Sequence, residues 1–317
     1  MKILVTGAAG FIGSHLCQRL LARGDEVVGL DNFDPFYDHR VKERNLEPFL
    51  QHEKFRFFQR DIRQADELGD MWENHCDGVE AVVHLAARAG VRPSIADPRG
   101  YEQTNILGTM NMLELATAAE LKPKFIFASS SSVYGNNPTV PFGESDRVDN
   151  PISPYAATKK ACELLCYTYH HLHDLPMTAL RFFTVYGPRQ RPDLAIHKFT
   201  SQILRGEPIE MFGDGKSSRD YTYIDDIIDG VEAAVDRCDG YETINLGSET
   251  PITLREMIAT VERATGQGAE IIEKPLQSGD VNRTFADITR AKKLLDYQPK
   301  MPFETGVKKF VAWWKNN

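Results

Sequence analysis

Lys2-Ile3-Leu4-Val5-Thr6-Gly7-Ala8-Ala9-Gly10-Phe11-Ile12-Gly13-Ser14-His15-Leu16 is the stretch that decides the fold. Its first five residues form a short apolar run suited to a buried parallel strand. Three glycines at a spacing of three follow, leading into a helical pattern. Gly7 permits a tight turn, Gly10 lets backbone amides approach a pyrophosphate, and Gly13 lets the next helix pack closely on its strand. A second strand, Glu26 to Leu30, ends at Asp31, whose carboxylate is placed to accept hydrogen bonds from adenosine ribose hydroxyls. A ribose phosphate would be repelled there, and Asn32-Phe33-Asp34 offers no arginine to receive one, so NAD is the expected cofactor.

Working outward, strand-like runs at 2–6, 26–30, 55–58, 80–85, 124–128 and 177–181 alternate with amphipathic segments. That is the pattern of a Rossmann-type, doubly wound α/β fold with a parallel sheet. Asp61 follows the third strand and is expected to meet the adenine, while Leu85-Ala86-Ala87 ends the fourth with small residues that let a dinucleotide lie close. Beyond about residue 182 the elements shorten, with turns at Gly187-Pro188, Arg191-Pro192 and Gly213-Asp214-Gly215. We expect residues 1–181 to form the cofactor domain and residues 182–317 a smaller C-terminal α/β substrate lobe, with the boundary approximate and the two parts able to interleave. Its expected helices lie near 194–205, 253–265 and 303–315, and its strands near 209–212 and 243–246. The cleft belongs at the carboxyl ends of the sheet strands.

Composition bounds the function. The formal net charge of −8 over 317 residues argues against non-specific nucleic-acid binding, so an anionic substrate must meet local arginines. No apolar run approaches the ~20 residues of a membrane helix, and the expectation is a soluble cytoplasmic protein without membrane partners. Cys17, Cys76, Cys162, Cys166 and Cys238 are odd in number and lack CxxC spacing, which suggests neither a disulfide framework nor a metal. His170, His171 and His173 cannot all face one ion, so no metal site is expected.

Tyr155-Ala-Ala-Thr-Lys159 adds redox chemistry. A tyrosine four residues ahead of a lysine shares its helix face, so the ammonium is expected near the phenol, stabilising a phenolate. A phenol titrating near ~10 is a poor base at neutral pH, whereas one held by cations takes a proton from a sugar hydroxyl. Helices near 100–120 and 154–173 are expected side by side on one face, with apolar positions suited to a homodimer contact.

Together with the glycine turn, His84-Leu85-Ala86-Ala87, Ser129-Ser130-Ser131-Ser132-Val133-Tyr134-Gly135, Tyr155-x-x-x-Lys159, Arg181-Phe182-Phe183-Thr184 and Arg219-Asp220-Tyr221 resemble the extended short-chain dehydrogenase/reductase family over nearly the whole chain. Within it the chain looks most like the nucleotide-sugar 4-epimerases. The resemblance implies Tyr155 as base, Lys159 on the nicotinamide ribose and Ser130 on the sugar 4-hydroxyl. It also implies a cofactor site of Gly7, Gly10, Phe11, Ile12, Gly13, Asp31, Asn32, Asp61, Ile62, Leu85, Ala86, Ala87 and Asn105. Related 4,6-dehydratases carry an Asp-Glu pair, and uronate decarboxylases a glutamate, where this chain has Ser131 and Ser132. Serine has no side chain titrating near neutrality, so elimination is disfavoured.

Which sugar is oxidised turns on departures from the glucose branch. UDP-glucose 4-epimerases usually present asparagine at Thr184 and arginine at Gln277, whereas Thr184 to Asp193 and Ala86 to Arg92 resemble the UDP-glucuronate 4-epimerases. That resemblance implies a UDP-sugar partner whose carboxylate meets Arg191, Thr184 and Ser132, with Ser131 nearby and Arg88 assisting. Arg219 would face the diphosphate, Arg283 would be a second phosphate group contact, Asp280 would meet the uridine ribose beside Gln277, and Phe212 would border the uracil.

Overall fold

The computed structural model describes residues 1–275 and 281–317. Strand β1 (Lys2–Thr6) runs through the glycine turn into helix α1 (Phe11–Arg23), which ends on Gly24 at a left-handed φ of 96°. Strand β2 (Glu26–Asp31), α2 (His39–Leu46), β3 (Phe55–Gln59), α3 (Ala65–His75) and β4 (Ala81–His84) continue the alternation. After α4 (Val91–Ala96), the expected helix near 100–120 is made of α5 (Pro98–Tyr101), a π-helical turn (Glu102–Leu107) and α6 (Gly108–Ala118). Strand β5 (Lys124–Ser130) leads through a 3₁₀ turn at Ser131–Tyr134 to the 20-residue α7 (Pro154–His173). Ser153 caps α7 by accepting from the Ala156 amide, with Pro154 at the first helical position.

Strand β6 (Met177–Phe182) is followed by β7 (Thr184–Tyr186), α8 (Ala195–Leu204), β8 (Ile209–Phe212), β9 (Ser218–Tyr223) and α9 (Ile224–Arg237). Then come β10 (Tyr241–Leu246), β11 (Pro251–Thr253), α10 (Leu254–Thr265), β12 (Ile271–Lys274), α11 (Thr289–Leu295) and α12 (Phe303–Lys315). Seven strands form one parallel sheet in the order β10-β6-β5-β4-β1-β2-β3, the doubly wound arrangement expected. Because successive strand residues point to opposite faces, Ile3, Val5, Val27 and Val83 join the core layer that includes α1 and α9, while Leu4, Val28 and Val82 join the layer under α3, α6 and α7.

The C-terminal part is not confined to one lobe. Its strand β10 pairs with β6 in the main sheet, and α9 packs on α1, so residues beyond 182 also build the cofactor sheet. Helix α9 carries an apolar stripe, Ile224, Ile227, Ile228, Val231, Ala234 and Val235, that the sequence reading passed over because Asp225, Asp226 and Gly230 interrupt it. Gly230 lies against Leu246 and Tyr297, where a Cβ would come 2.7 Å from a Leu246 methyl. The remaining strands make a three-stranded sheet, β11-β9-β7, and the parallel pair β12-β8. Strand order reverses between β1 and β4, and the cleft opens there, past their carboxyl ends.

Candidate active site

A cavity of about 470 Å³ runs from the glycine turn to the serine run and the Thr184–Arg191 segment. At its floor, the Gly7 and Ala8 amides both bond the Leu30 carbonyl, at 2.7 and 3.1 Å, fixing β1 to β2 as the chain turns. A Cβ on Gly13 would stand 2.1 Å from the Gly7 carbonyl oxygen, and one on Gly7, at φ 72°, 2.9 Å from the Ala86 nitrogen. Only glycines therefore leave the N-terminus of α1 open to an anion. Gly7, Gly10, Phe11, Ile12, Gly13, Asp31, Asn32, Ile62, Leu85, Ala86 and Ala87 all line this cavity. The cradle fits a dinucleotide: amides for a pyrophosphate, and a carboxylate at the end of β2 for ribose hydroxyls.

Two expected cofactor contacts are placed otherwise. Asp61 is turned to its own loop, accepting from Arg63 and from Asn32 (Nδ2 to Oδ2, 2.9 Å), and is absent from the cavity wall. These donors hold its carboxyl down at about 2, against the cost of burial. Asn105 is buried behind the wall, where it clamps the Arg88 backbone from both sides (N to Oδ1, 2.8 Å; Nδ2 to O, 3.0 Å) and donates to Thr158. It shapes the 86–90 loop. Asp31 has a partner the sequence did not announce: Lys42 of α2, buried, donates to it at 3.0 Å.

The reactive groups gather at the carboxyl end of β5. Tyr155 and Lys159 line the cavity with Ser130, as the spacing requires. The lysine does not serve the phenol directly, however. Its Nζ donates to the Ala128 carbonyl at 2.7 Å and sits over the Phe127 ring at 5.0 Å, because one helical turn carries it down onto β5. Burial brings the Lys159 ammonium down to about 8 and pushes the Tyr155 phenol above its ordinary value. What opposes that rise is a hydrogen bond with Ser130 and the charge of Arg191, not Lys159. In this structure the lysine therefore bonds Ala128, not the phenol, and burial favours the neutral form of Tyr155.

The serines, equivalent on paper, are separated by their partners. Ser129 donates to Glu163 at 2.6 Å and is buried. Ser130 Oγ accepts from the Ser132 amide (3.1 Å) and the Ser132 hydroxyl (2.9 Å), which leaves its own proton for Tyr155 or a ligand. Ser132 is therefore committed to Ser130 as well as facing the cavity, and Ser131 and Thr184 line the same wall.

Arg191 lies in that wall, stacked on Phe36 at 5.4 Å, with Nε and Nη2 bound to Asp193 at 3.0 and 2.7 Å. Asp193 takes one edge of the fork, and the Nη1/Nη2 edge is left to meet a second carboxylate. Arg88 also lines the cavity, but its charge is met by Asp34 and Asp97. Arg219 lines the wall, whereas Arg283 donates to the Pro138 carbonyl at 2.7 Å and Phe212 carries the Arg92 guanidinium on its ring at 4.9 Å, both outside the lining. Gln277 and Asp280 lie outside the described residues. Phe36, Tyr37, Tyr101 and Thr104 were missed by the sequence reading, and no motif marks them, since each reaches the site through tertiary packing, as Tyr101 does by standing edge-on to Tyr155 at 6.2 Å. Asp193 closes the quoted Thr184-to-Asp193 stretch, but its hold on Arg191 was not foreseen.

Comparisons with known proteins agree with this geometry. The family described as GDP-mannose 4,6 dehydratase matches residues 4–310. A UDP-glucuronate 4-epimerase of Thermodesulfobacterium geofontis is 46% identical over 316 residues, covering 99% of this chain and 96% of its own length. The crystal structure of UDP-glucuronic acid 4-epimerase from Bacillus cereus, in complex with UDP-glucuronic acid and NAD, superposes with a TM-score of 0.91 at 39% identity, over 100% of this chain and 99% of that one. The UDP-glucose 4-epimerase of Thermotoga maritima with UDP-glucose also superposes at 0.91, with 34% identity over 100% of this chain and 99% of that one. By its strand order, glycine turn and Ser-Tyr-Lys cluster, as by these matches, the chain belongs to the GDP-mannose 4,6-dehydratase family of extended short-chain dehydrogenases/reductases.

Proposed function

We propose that the chain is an NAD-dependent UDP-sugar 4-epimerase whose substrate is UDP-glucuronate and whose product is UDP-galacturonate. The observation that carries this reading is the cavity wall opposite Tyr155. It presents an arginine oriented by Asp193, together with Thr184, while Ser131 and Ser132 of the same cavity stand where an elimination or decarboxylation would call for a carboxylic acid. The glycine turn, Asp31 and Lys159 would hold NAD, which would supply a reversible hydride acceptor for carbon 4. Tyr155 takes the 4-hydroxyl proton and returns one later, and Ser130 donates its hydrogen bond to the same oxygen. A positive charge brought near Tyr155 by the cofactor would lower the phenol toward the range where it works as a base. The keto sugar then turns to offer its other face before the hydride returns.

A 4-keto uronate is a β-keto acid and loses carbon dioxide when its carboxylate stands perpendicular to the ketone plane. Arg191 and Thr184 restrain that rotation, so one contact set supplies both substrate choice and protection. Ser132 contributes by steering Ser130, since its hydroxyl is bonded there. Arg191→Ala is expected to weaken uronate binding by tenfold or more, about 1.4 kcal/mol, and to raise carbon dioxide release relative to epimerisation. A variant matching its parent in both respects would sink the uronate reading and leave UDP-glucose 4-epimerisation as the alternative.

Residues Leu164, Tyr167 and Leu172 of α7 and Leu107 before α6 are exposed apolar groups on the helical face over the sheet. They support a homodimer with α6 and α7 at its interface. No helix of the described residues is long and apolar enough to cross a membrane, and a cytoplasmic location is part of the same proposal.

A further inference from the structure

Helix α7 is fastened to β5 by three side chains on successive turns. Tyr155 stands at Ser130, Lys159 donates to Ala128, and Glu163 accepts from Ser129. The spacing of four residues puts all three on one stripe facing the strand. The last contact is unlike the others because it carries a buried charge. Glu163 is 2% exposed, and Arg181 of β6, 3% exposed, grips it through Nε to Oε1 at 2.8 Å and Nη2 to Oε2 at 2.9 Å. Arg181 goes on to donate to the Tyr134 hydroxyl at 2.9 Å, which donates to Asn245 of β10 at 2.8 Å. Glu163 thus joins the helix bearing the tyrosine, the strand ending in the serine run, and the strand that runs into Thr184.

Removing two charges from water costs several kcal/mol each, and apolar residues of similar size commonly serve stability as well or better. Packing alone is therefore a weak reason for this pair. Its placement offers a stronger one, since Ser129 lies between the two residues that touch Lys159 and Tyr155. We propose that Glu163 is a positioning residue: with its carboxylate clamped by Arg181, it holds Ser129 and so sets the approach of Ser130 to Tyr155. The proposal rests on Tyr155 and Ser130 moving the proton, as argued above.

Three variants test it. Ser129→Ala removes the link and leaves the ion pair. Glu163→Met with Arg181→Met removes link and pair together and leaves only the part-exposed Lys160, 3.3 Å from Glu163 in the parent, without its counter-charge, and Tyr134 keeps Asn245 as its acceptor. Glu163→Gln leaves Arg181 without its counter-charge and is used only if it folds. Each is assayed with whichever of UDP-glucuronate, UDP-glucose or UDP-galactose the parent turns over, so failure of the uronate reading is seen in the parent and does not touch this comparison. We expect Ser129→Ala and the double variant to lose about tenfold in kcat, the effect of a misplacement well below 1 Å, with KM and retained NAD within twofold of the parent.

The acid limb of the kcat–pH profile should also move to higher pH in both, because a loosened Ser130 contact withdraws a hydrogen bond that favours the phenolate. The other groups facing the phenol, Arg191 with Asp193, Tyr101 and Lys159, are unchanged in these variants. Parental kcat and an unmoved acid limb in Ser129→Ala would overturn the proposal. So would a double variant that regains both parental unfolding midpoint and parental kcat, since the pair would then serve folding alone. Should the double variant fail to fold, Ser129→Ala decides.

Discussion

Single residues here are governed by what surrounds them more than by their type. His84 accepts or donates at both ring nitrogens, to Thr6 at 2.8 Å and Thr109 at 3.1 Å, tying β1, β4 and α6 together. Burial, with the nearby Lys159 charge, brings its imidazole down to about 3. Its folded value is depressed below the unfolded ~6.5, so the unfolded chain binds the extra proton between those limits. The stability it contributes is present above about pH 6.5 and is lost as pH falls towards 3, by up to about 1.4 kcal/mol per pH unit. His84→Gln should therefore be less stable than its parent at pH 7, with the gap closing as pH falls from 6.5 to 4.5. Urea midpoints at three pH values measure this, and a gap independent of pH would contradict it.

The residue scale is also where the sequence was least complete. Tyr155 and Lys159 were singled out by their spacing, and Ser130 and Arg191 by the family resemblance of the motifs around them. That Lys159 turns to Ala128, or that Asp193 holds Arg191, depends on which atoms lie within 3 Å, and no periodicity encodes that.

At the scale of elements, the glycine turn was the most legible part, because its demands are steric. Gly13 faces backbone on the opposite side, with the Gly7 carbonyl oxygen 2.1 Å and its carbon 2.8 Å from where a Cβ would stand. Gly13→Ala must push α1 off β1, and we expect a loss of about 1–3 kcal/mol, typical of overpacking, together with loss of retained NAD. Gly24, at the other end of the same helix, has open space around a φ of 96°. Gly24→Ala should cost about 1 kcal/mol of backbone strain and leave NAD in place. Thermal midpoints and the absorbance of extracted cofactor distinguish the two, and equal NAD loss in both would contradict the cradle assignment.

Helices α7 and α12 match the expected segments near 154–173 and 303–315, whereas α9 was missed and the helix near 100–120 was drawn too smooth. Both misses have a physical origin. Polar residues at the start of α9 and a glycine within it are tolerated because its apolar stripe packs on α1. The π-helical turn at Glu102–Leu107 places Asn105 inward, against the Arg88 backbone.

At the scale of the whole molecule, the doubly wound parallel sheet followed from the alternation of strands and helices, but the return of β10 to that sheet did not. Strand β10 is reached only after the chain has left for the two smaller sheets and come back through α9. The cleft consequently has a wall from each part, with Tyr155 and Ser130 on one side and Arg191 and Arg219 on the other. The outer face of α7 gives the remaining large-scale expectation. Leu164→Glu with Tyr167→Glu puts charges on its exposed apolar face and, if the proposed homodimer forms there, should yield a monomer in sedimentation velocity without unfolding it. A parental sedimentation coefficient in that variant would remove α7 from the interface.

On the proposed function, this fold oxidises a uronate at carbon 4 and returns the hydride without losing the carboxylate. Proton NMR of the purified protein with UDP-glucuronate and no added NAD is the decisive test. Conversion to an equilibrium mixture with UDP-galacturonate is expected, with no pentose signals. Appearance of a UDP-pentose with carbon dioxide release, or inertness towards UDP-glucuronate while UDP-glucose is converted to UDP-galactose, would contradict it.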